Sequence, residues 1–144
     1  MDFAVELQSS PEKLFSVIKN FNELPQFLPR QLAKVRILQQ EKEKVVLEVI
    51  LVFKTLVKKE IIQKVSIDLH DNSLNAVILD GPAEKTQIEL SLVKKDLGTN
   101  VIISIDLKLS LKAKILSPII KREYKNMLRG IFIKMDVTAK ELGN

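Results

Sequence analysis

The chain has 144 residues, 46% of them apolar, with no cysteine, one histidine and a formal net charge of +5. One folded domain spanning 1–144 fits that length, while disulfides, a thiolate nucleophile and a Cys/His zinc site lack their residues. No leader pattern opens the chain and no segment approaches the about 20 apolar residues of a membrane span, so a cytoplasmic protein is the expectation.

The first element is a short strand, in which Phe3, Val5 and Leu7 alternate with Ala4 and Glu6. Ser10 as N-cap with Pro11 at the first helical position then starts a helix whose apolar face is Leu14, Phe15, Val17 and Ile18. Asn20 ends it. Pro25 and Pro29 bracket a second short helical piece containing Leu24, Phe27 and Leu28.

From about Val35 the period changes to two. Val45, Leu47, Val49, Leu51 and Phe53 form one face of a strand. Further strands run near Val57 to Leu69 and from Leu74 to Leu79, separated by the turn signal Asp71-Asn72. After the break at Asp80-Gly81-Pro82, Ile88, Leu90 and Leu92 mark another strand, and Asp96-Leu97-Gly98-Thr99 the next hairpin turn. The last strand is predicted from Val101 to Lys112, with Val101, Ile103, Ile105, Leu107, Leu109 and Leu111 on its apolar face. Such a one-sided pattern needs a cover. The segment from about Ser117 to Leu142 supplies it as a long amphipathic helix, with Leu116, Ile120, Tyr124, Met127, Leu128, Ile131, Met135, Thr138 and Leu142 on one stripe and Lys121, Arg122, Lys125, Arg129 and Asp136 facing away.

The predicted order is strand, two short helices, six antiparallel strands and one long helix, an α+β arrangement. It resembles the helix-grip fold of the START/polyketide-cyclase-like superfamily (SRPBCC), which implies a curved antiparallel sheet of about seven strands wrapped on the C-terminal helix. Local matches run along essentially the whole chain. Val5-Glu6-Leu7 with Ser10-Pro11-Glu12-Lys13-Leu14-Phe15 resembles the family's opening strand and helix start. Phe21-Asn22-Glu23-Leu24-Pro25-Gln26-Phe27-Leu28-Pro29, Asp80-Gly81-Pro82 and Gly98-Thr99-Asn100-Val101 resemble its later motifs. Ala83 departs from the pattern, standing where an aromatic residue is usual. The proline-flanked Phe27 segment is most similar to the coenzyme-Q-binding and ribosome-associated-toxin branch. The resemblance implies a cavity between sheet and helix for a lipid, quinone, steroid or polyketide; a few members are cyclases and others are chaperone- or ribosome-associated.

On that implication, the candidate ligand-binding residues are Val49, Leu51, Phe53, Lys59, Gln63, Ile103, Ile105, Leu107, Tyr124, Met127, Leu128 and Ile131. Each has a second reading. The aliphatic residues fit a solid core equally well, and Met127 and Met135 fit either a core or an adaptable pocket. Tyr124, the only tyrosine, either points its hydroxyl at a ligand or is a core residue with a satisfied hydroxyl. Lys59 and Gln63 share the covered phase, so they face a roomy cavity or lie near the sheet edge. Gly130 marks a close approach, a bend or a surface position. His70 lies in a turn, exposed, and no catalytic carboxylate pair, metal set or phosphate loop accompanies it.

Eight basic residues and one acid, Glu123, lie between Lys108 and Lys134. Lys112, Lys114, Lys121, Arg122 and Lys125 form either a solvated face or a contact for anionic lipid or the ribosome; no interleaved aromatic residues suit base-specific readout of nucleic acid. Val46, Ile50, Val52, Leu56, Ile62 and Ile102 lie in the outward phase, as a partner or homodimer surface or through a register shift. Carriage of an apolar ligand, with no cofactor beyond a bound quinone or lipid, is the leading expectation. A ribosome- or protein-interaction module and a cyclase/aromatase-type enzyme are the alternatives.

Overall fold

The computed structural model describes residues 1–53 and 59–142, residue 59 by its backbone alone. Strand β1 (Asp2–Leu7) leads into helix α1 (Pro11–Ile18) and a 3-10 segment (Phe21–Gln26). Six strands follow: β2 (Leu32–Gln40), β3 (Lys44–Phe53), β4 (Lys59–His70), β5 (Ser73–Ile78), β6 (Gln87–Lys95) and β7 (Gly98–Asp106). A four-residue helix α2 (Leu111–Lys114) precedes the long helix α3 (Ser117–Glu141). The described strands form one antiparallel sheet in the order β1-β7-β6-β5-β4-β3-β2. This is the α+β order predicted from the pattern, in the helix-grip arrangement that the resemblance implies.

Local chemistry explains the boundaries. The Ser10 hydroxyl accepts from the Lys13 N–H at 3.4 Å, and Pro11 needs no hydrogen bond at the first helical position. Residues alternate between buried and half-buried along β3, so one face of the sheet is covered. Register shifts at Leu32/Lys34 and Ile37/Gln39 interrupt the β2–β3 ladder, and such shifts bend and twist a strand. At the other edge, β1 pairs with β7 and the Met1 ammonium donates to the Ile105 carbonyl at 2.8 Å.

Gly98 is the residue this edge depends on. A Cβ there would lie 2.2 Å from the Leu7 carbonyl oxygen, closer than any side chain can come. The glycine is therefore required by the approach of β1. The left-handed residue of the β6–β7 turn is Asp96, with φ 55°.

Three sequence expectations need correction. The last strand ends at Asp106, six residues before Lys112. Buried Thr86 takes over there: its hydroxyl accepts from the Lys108 N–H at 2.9 Å and donates to the Lys108 carbonyl at 3.1 Å. The inward stripe of α3 is Ile120, Tyr124, Met127, Ile131, Phe132, Met135, Asp136 and Ala139, while Leu116 and Leu142 are exposed. Asp136 therefore points inward. Its carboxylate accepts from the Gln8 N–H (3.0 Å) and the Ser9 N–H (2.9 Å), while the Ser9 hydroxyl donates to the Asp136 carbonyl. It thus caps the β1–α1 connection and pins α3 to it. Burial opposes ionisation of this carboxyl, but the Gln8 and Ser9 groups and Lys140 outweigh burial and hold it below the ordinary carboxylate range.

Of the outward apolar residues, Ile62 and Ile102 are exposed and Val46, Ile50 and Val52 are half-buried; Leu56 lies outside the described residues. His70 ends β4 and is exposed. Among the described residues no helix is long and apolar enough to cross a membrane, and no cluster of His, Asp and Glu is placed to hold a metal ion.

Candidate functional site: a sheet–helix cavity

The sheet and α3 do not fill the space between them. A cavity of about 170 Å3 remains. Its floor is Leu32 and Val35 on β2, Leu47, Val49 and Leu51 on β3, Gln63, Val65 and Ile67 on β4, Leu74, Ala76 and Ile78 on β5, and Ile88 and Leu90 on β6. Its roof is Tyr124, Met127, Leu128, Ile131, Phe132 and Met135 of α3, and Ile18, Phe21 and Leu24 close one end. The void lies under the β2–β6 part of the sheet. On the β7 side the interior is packed: Val101 and Ile103 have no exposure and Ile105 only 1%.

Gln63 and Tyr124 are the two polar side chains among the described lining residues, and both are buried. Gln63 sits on β4 opposite Val49. The Tyr124 hydroxyl donates to Gln63 Oε1 at 3.4 Å. That is long for an O–H···O bond, whose usual length is about 2.7–2.8 Å. The contact is therefore a weak one that a better acceptor can displace. Phe53, fully buried at the end of β3, packs edge-on against the Tyr124 ring at 5.4 Å and 75°, which fixes its orientation. Burial raises the Tyr124 pKa, and the Gln63 contact offsets this only in part, so the phenol stays protonated. Among the described residues the cavity thus offers an apolar volume with one neutral hydrogen-bonding pair on its wall.

Of the residues singled out from sequence, Val49, Leu51, Gln63, Tyr124, Met127, Leu128 and Ile131 line this cavity. Phe53, Ile103, Ile105 and Leu107 do not, which corrects the expectation that they would. Phe53 supports Tyr124, the two β7 isoleucines are packed solid, and half-buried Leu107 lies beyond the end of the strand. The side chain of Lys59 lies outside the described residues. Strand parity alone missed Val65, Ile67, Ala76, Ile78 and Leu90, because every inward position has the same parity whether it faces a void or a neighbour. Ala76 carried a signal: a small side chain on a buried strand leaves space unfilled.

Gly130 faces Leu28, not the sheet. A Cβ there would lie 3.0 Å from Leu28 Cδ1, so the glycine lets α3 approach the segment that closes the cavity. A second depression, of about 260 Å3, lies at the surface where the β6–β7 turn meets the end of β1. Its rim carries the exposed Glu6–Lys95 ion pair, and among its lining residues Leu7 is the one buried apolar side chain. It lacks the features of a small-molecule site.

No family model matches the sequence and no curated protein matches it. Solved structures do match in shape. A protein from Thermus thermophilus superposes with a TM-score of 0.85 at 11% identity, over 100% of this chain and 99% of that one. The Zhui aromatase/cyclase from Streptomyces sp. R1128 gives 0.83 at 12% identity, over 100% and 97%. A START superfamily protein from Mycobacterium smegmatis gives 0.78 at 16%, over 99% and 97%. At such identities the likeness concerns architecture, and function has to be argued from the site. A seven-stranded sheet around a C-terminal helix, matched over its whole length by these proteins, is the START/SRPBCC-like helix-grip fold, and that is the fold of this chain.

Proposed function

We propose that this protein binds a small apolar molecule carrying a carbonyl or hydroxyl group, such as a quinone, a polyketide-like ring or a lipid, in the cavity under α3. One observation carries the reading. A void of about 170 Å3, whose described wall is otherwise aliphatic and aromatic, places the two polar groups of that described wall, Gln63 and Tyr124, beside each other. An apolar cavity of about 150 Å3 is large enough to take a benzene ring, so the volume fits one ring-sized group. A longer tail requires the flexible side chains of Met127 and Met135 to swing aside. Burying about 200 Å2 of such a ligand contributes about 5 kcal/mol before the costs of association. The Tyr124 hydroxyl would turn from its long contact with Gln63 to the ligand oxygen and fix its orientation.

The likeness to an aromatase/cyclase supports a second reading, in which the ligand also reacts. That chemistry needs a general acid or base at the ligand. The described lining offers an amide and a phenol whose pKa burial raises, and neither exchanges protons readily near neutral pH. Binding is therefore the reading the site supports better. The test is organic extraction of the purified protein and mass spectrometry, followed by titration of the stripped protein with ring-sized quinones and phenols. Uptake of one equivalent is expected. No co-purified molecule and no saturable uptake would overturn the proposal.

A further inference from the structure

We propose that the turn between β7 and α3 docks this protein on anionic lipid bilayers. The apolar run from Leu107 to Leu116 divides at this turn. Leu107, Leu109 and Ala113 pack against the core. Leu111, which opens α2, and Ile115, which caps its C-terminal end four residues on, are 84% and 86% exposed, and Leu116 beside them is also exposed. Lys112 and Lys114 flank this tip, and Lys121 and Arg122 follow in the first turns of α3. All four are exposed, and none forms an ion pair with a described residue.

The tip is held, not frayed. The Ser110 N–H donates to the Pro82 carbonyl at 3.0 Å, the Ser110 hydroxyl caps α2 by accepting from the Ala113 N–H, and Thr86 grips Lys108 from both sides. A fixed turn that presents two large aliphatic side chains among four cations matches a bilayer surface in both respects. The cations sit among lipid phosphates while the aliphatic tips enter the acyl boundary. Nucleic acid or an acidic protein would satisfy the charge and leave Leu111 and Ile115 in water. The loop that anchors the turn also reaches β4 beside a residue of the cavity wall. The loop whose Pro82 carbonyl anchors Ser110 carries Gly81, where a Cβ would lie 3.7 Å from the Gln63 Cβ.

The test is co-sedimentation of the full chain with vesicles of phosphatidylcholine alone and of phosphatidylcholine mixed with phosphatidylglycerol. Binding to the anionic vesicles only, weakening as salt rises, is expected. Lys112→Gln and Lys114→Gln should each weaken it about fivefold, and Leu111→Ser with Ile115→Ser about tenfold or more. Unchanged unfolding midpoints check that these exposed substitutions leave the fold intact, and Lys121→Gln with Arg122→Gln repeats the charge test outside α2. Ala76→Ile in the cavity should bind vesicles like the unaltered protein, which separates this proposal from the ligand reading. Equal binding to neutral vesicles, no binding to anionic ones, or full binding by the Leu111/Ile115 variant would each overturn it. Binding to polyuridylate in place of vesicles would do so too.

Discussion

Ala76→Ile separates a void from a solid core by the sign of its effect. Ala76 lies on β5, buried on the covered face, between Ile67 of β4 and Ile88 of β6. Its methyl group faces the cavity of about 170 Å3. Isoleucine adds three carbons, each contributing about 0.8 kcal/mol when buried without displacing anything. Its branched Cβ also suits a strand. The expected gain is about 2 kcal/mol, read as a higher urea midpoint at constant slope and a melting temperature raised by roughly 4–8 °C. Ligand uptake should be lost at the same time. A solid interior would instead be overpacked, with a loss of about 1–3 kcal/mol. A destabilised variant, or a stabilised one that still takes up ligand at full affinity, would refute the reasoning.

Other substitutions test other parts of the account. Tyr124→Phe removes a hydroxyl whose hydrogen bond among the described residues is 3.4 Å long; stability should change by less than about 1 kcal/mol, while affinity for carbonyl ligands falls about fivefold to tenfold and affinity for a hydrocarbon of the same shape is kept, by calorimetric titration. Asp136→Asn keeps one acceptor for the Gln8 and Ser9 N–H groups and sets a donor against the other, costing about 1.5–3 kcal/mol at neutral pH by urea unfolding. The Asp136 pKa is lowered on folding, so its stabilisation is complete above the unfolded carboxylate value and is lost as pH falls through the lower folded one. The gap between the native protein and the Asn variant should therefore close on acidification below about pH 4, the ordinary range of the unfolded carboxyl. Gly98→Ala forces β1 away from β7 and should cost about 2–4 kcal/mol, with faster amide exchange in β1 than elsewhere in the sheet.

The order of elements was legible because each obeys one dominant rule. Ser10-Pro11 is a helix start because it precedes an amphipathic run, and the run from Val45 to Phe53, apolar but for Glu48 and rich in β-branched residues, reads as a strand. The end of β7 was not legible, because Leu107, Leu109 and Leu111 continue the alternation without a break. What stops the strand is Thr86, 22 residues away, bonding to the backbone of Lys108. Asp136 was misread for a related reason: its partners are backbone N–H groups at the opposite end of the chain, and no pattern within α3 reveals them. Tyr124 and Gln63 stood out because a polar residue in an apolar phase is conspicuous. The division of the inward face into a void under β2–β6 and a packed region around β7 depends on how the sheet curves over α3, and parity does not carry that information. Ile103 and Val49 look alike in sequence and differ in what stands opposite them.

The central claim is that an apolar ring enters the space between the sheet and α3. Intermolecular NOEs between a bound quinone or phenol and methyl-labelled protein test it most directly. The account predicts contacts from the ligand to the methyl groups of Val49, Ala76, Met127 and Ile131, with Tyr124 nearest the ligand oxygen. Contacts confined to exterior methyl groups such as those of Ile62 and Ile102, with the inner methyl groups unmoved at saturation, would contradict it.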